Sequence, residues 1–432
     1  MHLRRTALFA AAAVVAATLI AGCSSGSGAP AVTPPHGPAK GNVTFWSSLS
    51  GMKDVAAAFN ASQKDITVTF EEIPNGANGG YTKLSAAISS GTGPDVAGIE
   101  YQALPGFVAA DQLKSIDGLV PGKVLTAYDP EVRGQVSFAG ADYALPYDAP
   151  PMVMWYRKDL LADAGVQVPK TWADFEKAAR ALKAVHPDSY LASFFTNEPQ
   201  LAPLAWQAGS EWFHAGKSSW KVGIDDAASK KVADYWQRLI DEGLVKRQLG
   251  FSDEWTADLN SGAVAGWIGG SWSASGLKTR TEGAGQAGKW IAAVPPTWDG
   301  KPSASLSGGT SFAITKNSKN ADAAAAFLTW LTTSPEAVRA RGAVGTAYLA
   351  YPGLNDVAKA VAPTAYYGND IYAVFGQSSK GLRPWAWGPS YDITGAALKN
   401  AVTSSPTLGD AVATTQSDTV SGLSKLGVSI AK

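Results

Sequence analysis

Hydrophobic and polar positions in the first part of the chain follow two different periods. Residues 43–46 form a short apolar run, and residues 66–70 alternate apolar with polar side chains, which predicts two β-strands. Residues 52–59 and 81–88 instead repeat apolar side chains at helical spacing, and residues 94–99 have the pattern of a third strand. Strands and helices that alternate in this way predict an α/β lobe with a parallel-type sheet.

The same alternation returns further along the chain and predicts a second α/β lobe. Thr171 and Asp174 have the spacing of a helix capping box, and apolar residues follow them at helical intervals up to position 182. A strand is predicted over residues 190–195, and further helices are predicted over residues 228–239 and after Asn320.

The amino terminus has the pattern of a removable leader. Two arginines precede an apolar stretch over residues 7–20, which is shorter than the roughly 20 residues that a transmembrane helix needs. The stretch runs into the sequence Ile-Ala-Gly-Cys that ends at Cys23, which resembles the lipid-attachment site of bacterial lipoproteins. The pattern predicts a signal peptide over residues 1–22 and a lipid on Cys23.

The cysteine count supports lipid attachment, because Cys23 is the only cysteine in 432 residues. The alternative is a chance cysteine in an ordinary secretory cleavage region, but a lone free thiol would be unusual in a secreted chain. Residues 24–40 are rich in Ser, Gly and Pro and lack apolar periodicity, which is typical of a flexible tether. Residues 23–40 are therefore expected to be a lipidated cysteine and tether.

Composition argues against several classes of function. Lys+Arg and Asp+Glu number 36 each, so the formal net charge is zero and no nucleic-acid partner is expected. His186 and His214 lack metal-ligand spacing, so no metal site is expected. The 15 Trp stand out against a charged fraction of only 17%. At least half of them are expected in the core, and others would suit a concave site for a ligand with flat apolar faces and a hydroxylated edge, as sugars have.

Sequence motifs of nucleotide chemistry do not occur in a suitable context. The segment from Gly283 to Gly288 satisfies G-x-G-x-x-G, but polar residues precede it and a strand-like segment follows, whereas the dinucleotide fingerprint needs a strand before it and a helix after it. No GxxxxGK[ST] phosphate loop occurs, and the GxSxG pattern of a nucleophile elbow occurs only at residues 22–26, within the predicted lipid-attachment region. No cofactor is expected.

The order of the segments resembles the family 1 extracellular solute-binding proteins, the maltose-binding-like subunits of ATP-binding-cassette (ABC) importers. The resemblance covers nearly the whole mature chain from residue 43, and it is strongest over residues 143–182. Two departures occur, Val264-Ala265 in place of Ala-Met and Arg157 in place of Asn, and neither removes a side chain that binding needs. The matching elements are Leu145-Pro146, Tyr156-Arg157-Lys158, Ala164-Gly165, Pro169-Lys170-Thr171-Trp172, Gly266 to Trp272 and Gly308 to Ile314.

The resemblance implies an α/β, two-lobed periplasmic-binding-protein-like fold with a hinge of about three crossings and an interlobe ligand cleft. Ligand contacts with both lobes would favour the closed conformation that a membrane permease recognises. The expected lobes are an N-lobe of residues 41–147 plus 307–352 and a C-lobe of residues 148–306 plus 353–432. The expected crossings lie near residues 145–150, 302–308 and 351–355.

The implied function is capture of a sugar, either a mono- or an oligosaccharide, and its delivery to an ABC permease. No bond is made or broken, so the protein is not expected to be an enzyme. It is expected to be a monomer that is anchored through Cys23 to the outer face of the plasma membrane of a bacterium.

Ligand-binding residues are expected where the family's cleft segments fall on this chain, several of them at the strand ends where open α/β sheets bind ligands. A carboxylate beside an aromatic ring, as at Glu100 and Tyr101, suits a sugar because the carboxylate accepts hydroxyl hydrogens while the ring stacks on the C–H face. A buried Asp148 at the hinge would be costly unless a ligand pairs with it. The expected residues are Trp46, Ser47, Ser48, Glu100, Tyr101, Tyr147, Asp148, Asn197, Glu198, Gly270, Trp272, Gly309, Thr310, Arg383, Trp385 and Trp387.

Several of these segments also have a purely structural interpretation. The two serines after Trp46 suit a turn before a helix, and Asn197 and Glu198 suit a cap. Residues 308–310 suit a plain turn, and the tryptophans at 385 and 387 suit core packing.

Two other functions stay open at the level of sequence. A secreted glycoside hydrolase would use two carboxyl groups about 5 to 10 Å apart, and Glu100 with Asp148 is a candidate pair. The same fold also serves for a peptide, a polyamine or a phosphorylated solute. Peptide and phosphate sites favour basic side chains, and Arg383 is the only basic residue among the expected ones.

Overall fold

The computed structural model describes residues 39–216, 218–344 and 347–431, apart from the side chain of Ala77. The predicted signal peptide, Cys23 and nearly all of the predicted tether lie outside these residues. Within the described ranges, no helix is both long and apolar enough to cross a membrane.

The described chain alternates between helices and strands. Its helices are α1 Met52–Ser62, α2 Gly80–Ser89, α3 Leu104–Ala109, α4 Gly122–Leu125, α5 Pro130–Gly134, α6 Lys158–Asp163, α7 Trp172–Val185, α8 Leu201–Gln207, α9 Ala227–Asp241, α10 Asp253–Ser261, α11 Ser273–Thr281, α12 Ala321–Thr333, α13 Pro335–Arg341, α14 Leu354–Val361, α15 Ile371–Ser378, α16 Tyr391–Ser404 and α17 Leu408–Lys425. Its strands are β1 Gly41–Ser47, β2 Ile66–Glu72, β3 Val96–Glu100, β4 Ser137–Phe138, β5 Ala141–Asp142, β6 Ala144–Pro146, β7 Met152–Arg157, β8 Ala192–Phe195, β9 Phe213–Ala215, β10 Trp220–Val222, β11 Val245–Gln248, β12 Gly266–Gly270, β13 Trp290–Ala293 and β14 Thr310–Ile314.

The first sheet confirms the predicted α/β lobe and corrects its strand directions. Its strands are ordered β2-β1-β3-β14-β6. β1 is parallel to β2 and β3, as predicted, whereas β14 is antiparallel to β3 and β6. The sheet is mixed because β14 returns from a distant part of the chain and its direction is not set by a βαβ crossover.

The second sheet is antiparallel and lies in the centre of a tryptophan-rich core. Its order is β12-β7-β13, and all six residues of β7 are buried. β8 and β11 form a parallel pair, and a bridge between Tyr190 and Val264 brings β8 beside β12. Eight of the 15 tryptophans expose less than 2% of their surface, so the prediction that at least half of them form core is confirmed.

The predicted capping box is present at the start of α7. The Thr171 hydroxyl accepts a hydrogen bond from the Asp174 N–H at 3.1 Å, and the Asp174 carboxylate accepts one from the Thr171 N–H at 3.2 Å. Caps of this kind stabilise a helix by about 1 kcal/mol. They satisfy donors that a helix cannot pair internally, so α7 begins at the residue that the sequence indicates.

Three chain segments run side by side between the two sheets. The Ala149 N–H donates to the Tyr348 carbonyl at 2.8 Å, and the Ala350 N–H donates to the Tyr147 carbonyl at 3.0 Å. On the other side, the Ser307 N–H donates to the Pro150 carbonyl at 2.9 Å. The segment at residues 347–350 lies just before the predicted third crossing. This three-segment hinge joins β6 to β7 and β13 to β14, so it links the two sheets.

Candidate functional site

Glu100 lies at the carboxyl end of β3, where its carboxylate is held by a tyrosine of α2. The Tyr81 hydroxyl donates to Glu100 Oε2 at 2.7 Å, and the Glu100 N–H donates to the Tyr81 hydroxyl at 3.1 Å. Burial raises the pKa of Glu100, and the Tyr81 hydrogen bond opposes that rise. The other carboxylate oxygen, Oε1, accepts no hydrogen bond from the described residues. It is therefore an acceptor that a ligand hydroxyl could use.

Four ionisable side chains from separate segments interact electrostatically and form what we call the cleft cluster: Glu100, Asp148, Glu198 and Tyr391. Burial is the main cause that raises the pKa of each of them. The negative charge of Glu100 raises the pKa values of the other three further, so all three lie within its electrostatic reach. The cluster draws its members from β3, from the hinge, from the loop after β8 and from the start of α16.

Asp148 is the member of the cleft cluster that lies in the hinge. Its Oδ1 accepts a hydrogen bond from the Thr310 N–H at 2.7 Å, and its backbone carbonyl accepts one from the Tyr101 hydroxyl at 2.6 Å. Burial raises the pKa of Asp148 to about 6, against the lowering effects of the Thr310 N–H and of the Arg341 charge. Asp148 therefore ties the first crossing to the start of β14.

Two predicted aromatic residues have their hydroxyl groups engaged within the protein. Tyr101 is 1% exposed and its hydroxyl is bonded to the Asp148 carbonyl, as described above. The hydroxyl of Tyr147 accepts a hydrogen bond from Arg341 Nη1 at 3.0 Å, and the guanidinium lies 5.3 Å from the centre of the Tyr147 ring. The structure gives both tyrosines a role in holding the hinge.

Trp272 is the predicted ring with the most open surface, since 39% of it is exposed. Its Nε1 donates to the Ser307 carbonyl at 2.7 Å, and its ring centre lies 6.3 Å from that of Phe251. A Cβ at Gly270 would lie 2.4 Å from the Trp272 Nε1, so only glycine lets the indole take this position. The ring is fixed on one side and open on the other.

Gly309 allows the hinge to pack against Tyr101. Its φ is +120°, and a Cβ there would lie 2.4 Å from the Tyr101 ring. The Gly309 carbonyl accepts a hydrogen bond from the Tyr101 N–H at 3.0 Å. Thr310 is 8% exposed, and its N–H is the donor to Asp148. The Thr310 amide therefore points into the hinge.

The residues after β1 divide into two kinds. Ser47 is 1% exposed and its hydroxyl accepts a hydrogen bond from the Leu49 N–H at 3.1 Å, which matches the turn interpretation. Trp46 and Ser48 are half-buried. The Lys83 ammonium lies over the Trp46 ring, 4.9 Å from the ring centre.

Asn197 and Glu198 also have different environments. The Asn197 amide donates to the Gly250 carbonyl at 3.2 Å and accepts from the Gly250 N–H at 2.7 Å, so both of its polar atoms hold the neighbouring loop. Glu198 belongs to the cleft cluster, and the charge of Lys399 lowers its pKa against the larger effect of burial.

The segment over residues 383–391 combines core packing with a partly open face. Trp385 is 7% exposed and stacks on Trp206 with ring centres 5.1 Å apart, which matches the core interpretation. Trp387 is half-buried, and its ring centre lies 5.5 Å from that of Trp385 and 6.0 Å from that of Tyr391. Arg383 is exposed, and its backbone carbonyl accepts from the Trp206 Nε1 at 2.9 Å.

Three residues of this region were not among the predicted ones: Tyr81, Arg341 and Tyr391. Tyr81 belongs to the apolar face of a predicted helix, and no local pattern indicates that its hydroxyl reaches Glu100. Arg341 lies 194 positions from Tyr147, so only the tertiary structure brings them together. Tyr391 follows the tryptophans at 385 and 387, and a Pro-Trp-x-Trp segment that leads into Tyr-Asp is a signal that could have included it.

The described residues contain no group of three or more His, Cys, Asp and Glu side chains placed to hold a metal ion. The side chains of the cleft cluster can act through hydrogen bonds and charge. Its carboxylates accept hydrogen bonds, and Trp272 offers an apolar face.

The raised pKa of Asp148 predicts a specific pH dependence of stability. The pKa of the Asp148 carboxyl is about 6 in the folded state, against an ordinary value of 3.8. Protonation of this carboxyl therefore stabilises the folded state below about pH 4, and this stabilisation is lost as the pH rises through about 6. Asp148→Asn keeps an acceptor for the Thr310 N–H and removes the charge. The free energy of unfolding of the variant, measured by urea denaturation, should therefore increase relative to that of the wild type as the pH rises from about 4 to about 6.

Asp111→Asn is the matched control for this measurement, because Asp111 is exposed and asparagine tolerates its φ of 53°. Curves for wild type and Asp148→Asn that stay parallel over this pH range would contradict the assignment of a raised pKa to Asp148.

Comparison with known proteins shows which class of protein this chain is similar to. A relative described as a lactose-binding protein of Rhizobium radiobacter is 27% identical over 340 residues, which is 72% of this chain and 76% of the relative. A maltooligosaccharide ABC transporter solute-binding lipoprotein of Streptococcus pneumoniae is 25% identical over 299 residues, which is 66% of each chain. A solved structure, the galacto-N-biose-/lacto-N-biose I-binding protein of Bifidobacterium longum with lacto-N-biose, matches with a TM-score of 0.79 at 23% identity and covers 91% of this chain and 99% of its own.

The structural likeness confirms the predicted two-lobed periplasmic-binding-protein-like fold. The relatives are binding proteins, which confirms that the chain is not an enzyme and corrects the hydrolase alternative. The profile of one family, described as bacterial extracellular solute-binding protein, matches residues 46–338. Because this match covers more than half of the chain, the protein belongs to the bacterial extracellular solute-binding proteins.

Proposed function

We propose that this protein captures a sugar, either a mono- or an oligosaccharide, in a cleft between its two lobes and delivers it to the permease of an ABC importer. The observation that carries the proposal is the cleft cluster, in which the charge of Glu100 at the end of β3 raises the pKa of Asp148 in the hinge and of Glu198 in the loop after β8. The relatives named for lactose and maltooligosaccharides support a sugar as the ligand.

The chemistry of the cluster suits hydroxyl groups. A carboxylate that is partly desolvated gains from the hydrogen bonds that hydroxyls donate. The raised pKa values of Glu100, Asp148 and Glu198 indicate that these bonds are not fully supplied by the protein itself. Trp272 adds a ring face on which the C–H face of a sugar can stack.

The proposed lobes are residues 41–147 plus 307–352 and residues 148–306 plus 353–432, joined through the three-segment hinge. A sugar that bonds to Glu100 on one side and to Glu198 or Trp272 on the other would favour the closed arrangement, because it adds contacts that exist only when the lobes meet. The hinge deforms by rotation of a few backbone dihedrals, which leaves both sheets intact.

The proposed binding residues fall into two groups. Those with open polar or aromatic groups are expected to touch the ligand, and those whose polar groups are already paired are expected to shape the site. The first group is Trp46, Ser48, Glu100, Asp148, Glu198, Trp272, Arg383 and Trp387, together with Tyr391. The second group is Ser47, Tyr101, Tyr147, Asn197, Gly270, Gly309 and Thr310. Trp385 is expected to shape the site by packing on Trp206.

A polyamine is the alternative ligand that the structure favours most after a sugar, because Glu100, Asp148 and Glu198 would pair with ammonium groups. The relatives that are named for lactose and maltooligosaccharides favour a sugar over a polyamine. A panel of ligands distinguishes the two.

Glu100→Gln should weaken sugar binding about tenfold or more, because a hydrogen bond to a charged acceptor is replaced by one to a neutral acceptor. Trp272→Ala should weaken it by a similar factor through loss of stacking. The measurement is tryptophan fluorescence of the chain from residue 24, titrated with mono- and disaccharides, maltotriose, amino acids, short peptides and spermidine.

Glu242→Gln serves as the control, because Glu242 lies in a surface ion pair with Arg180. A response to spermidine or peptides with none to sugars would sink the carbohydrate assignment and leave the family unchanged. Equal affinities of wild type, Glu100→Gln and Trp272→Ala for a sugar would remove these residues from the site.

We propose further that the protein is anchored by a lipid on Cys23 to the outer face of the bacterial plasma membrane, as a monomer beside its permease. A relative that is described as a lipoprotein supports this anchor. Cys23→Ser should move the protein from the membrane fraction to the medium or the soluble extracytoplasmic fraction and abolish incorporation of radioactive palmitate. A variant that stays in the membrane fraction would contradict lipid anchoring, and Ser24→Ala is the control that should behave as the wild type.

A further inference from the structure

Arg341 ends helix α13 and bonds to two other segments of the chain. Its Nε donates to the Ser50 carbonyl at 3.1 Å, and its Nη1 donates to the Tyr147 hydroxyl at 3.0 Å. Ser50 belongs to the turn between β1 and α1, residues 48–51, which we call the β1–α1 turn. Tyr147 belongs to the first hinge crossing. One side chain therefore joins a helix, a turn and a hinge crossing that lie far apart in sequence.

The β1–α1 turn packs closely on the end of α13. Gly51 has a φ of +83°, and a Cβ there would lie 2.7 Å from Val344 Cγ2 and 3.0 Å from Arg341 Cγ. Glycine is the residue that permits both this backbone conformation and this close approach. Gly51 is also the N-cap of α1 and supplies no side-chain cap. The Arg341 bond to the Ser50 carbonyl thus holds a turn that the start of α1 leaves uncapped.

The β1–α1 turn begins with a residue that is proposed to touch the ligand. Ser48 is half-buried and follows the carboxyl end of β1. β1 pairs with β3, whose carboxyl end carries Glu100. Both hydrogen bonds of Arg341 go to protein atoms, so this side chain reaches the site through the turn that it holds.

The charge of Arg341 also acts on Asp148, the residue after Tyr147. Burial raises the pKa of Asp148 to about 6, and the Thr310 N–H and the Arg341 charge oppose that rise. Arg341 is the cationic group in this set. The other groups that face Asp148 are an acid, two tyrosines and a backbone amide: Glu100, Tyr101, Tyr147 and the Thr310 N–H.

Arginine suits this position better than lysine does. A guanidinium holds its donors in a rigid plane, so it can bond two separate groups in a fixed geometry, whereas an ammonium is a compact charge on a flexible stem. Lysine at position 341 would keep a charge near Asp148 and lose the fixed bridge between Ser50 and Tyr147. Charge and bridge can therefore be separated by experiment.

We propose that Arg341 is a positioning residue for ligand capture, which bonds Ser50 and Tyr147 at once and so fixes the β1–α1 turn, with Ser48, relative to the first hinge crossing. The part of the proposal that concerns the ligand rests on the proposed sugar-binding function. When the crossing rotates as the lobes close, the two bonds of Arg341 keep the turn at a set distance from it.

Arg341→Met removes both the charge and the bridge, and Arg341→Lys removes the bridge alone. Tryptophan fluorescence of the chain from residue 24, titrated with lactose and maltotriose, measures sugar affinity. Both variants should weaken binding about threefold to tenfold, as loss of about one hydrogen bond to the sugar predicts. The carboxyl ¹³C signal of Asp148, assigned with Asp148→Asn, reports the charge: the pKa of Asp148 should exceed the wild-type value of about 6 in Arg341→Met and stay close to it in Arg341→Lys.

Tyr147→Phe tests the bridge from its other end, because it keeps the ring and removes the hydroxyl that accepts from Arg341. The double variant Tyr147→Phe/Arg341→Met should bind the sugar as weakly as Arg341→Met alone, since both changes break the same bridge. Losses of affinity that add would mean that the two residues act separately, and this result would overturn the proposal.

Arg339→Met is the matched control. Arg339 lies two positions away on the same helix, and its exposed side chain reaches only 3.6 Å from Glu336. This variant should leave the sugar affinity, the pKa of Asp148 and the position of the β1–α1 turn unchanged.

Hydrogen exchange of the Leu49 amide reports the turn without any sugar. This N–H donates to Ser47 Oγ at 3.1 Å inside the turn region, and its exchange should be faster in Arg341→Met and Arg341→Lys than in the wild type and Arg339→Met. Unchanged exchange in both Arg341 variants would overturn the positioning role. If Arg341→Met does not fold, Arg341→Lys and Tyr147→Phe carry the same measurements.

The outcomes separate this proposal from the proposed function. Faster exchange with an unchanged sugar affinity overturns the role of Arg341 in capture and leaves the sugar assignment standing. If neither lactose nor maltotriose binds the wild type, the sugar assignment fails for both, and the Leu49 exchange decides the positioning role alone: faster exchange in both Arg341 variants supports it.

Discussion

The arrangement of the site depends on the backbone hydrogen bonds that hold three chain segments side by side between the two sheets. Asp148 lies in the middle segment and accepts the Thr310 N–H, while its own carbonyl accepts the Tyr101 hydroxyl. These bonds fix the end of β6 against the start of β14, and β14 in turn pairs with β3. The ends of β3 and β14 therefore reach the site in a set register, with Glu100 opposite Thr310.

A buried carboxylate in such a position is costly, and the protein meets this cost only in part. The Thr310 N–H and the Arg341 charge lower the pKa of Asp148, but burial outweighs them. Glu100 accepts a hydrogen bond from one tyrosine hydroxyl, and the charge of Lys399 lowers the pKa of Glu198. Carboxylates that lack full hydrogen bonding gain more from ligand hydroxyls than satisfied ones do. Under the proposed function, the groups whose burial costs stability are therefore the groups that bind the sugar.

Local patterns were sufficient for most of the elements and for some of the site. The capping box at Thr171 and the strand predicted over residues 94–99 depend on residues close in sequence, so the sequence alone predicted them, and β3 ends one residue later at Glu100. The direction of β14, the Tyr81 contact with Glu100 and the Arg341 contact with Tyr147 depend on residues that are distant in sequence. Asn197 also has a partner that is distant in sequence: its position after a strand predicts a ligand contact, and its amide atoms are hydrogen-bonded to the Gly250 backbone.

Closure of the lobes around a sugar is the central claim, and the distance between the lobes tests it most directly. Lys64→Cys and Asp241→Cys place two labels at exposed positions, one in each proposed lobe, in a chain whose native Cys23 is replaced by serine. Pulsed electron paramagnetic resonance then measures the label-to-label distance with and without lactose or maltotriose. The account predicts a distribution that shifts to shorter distances with a binding sugar and does so less completely in Glu100→Gln at the same concentration. A distribution that does not change while the sugar is bound would contradict it.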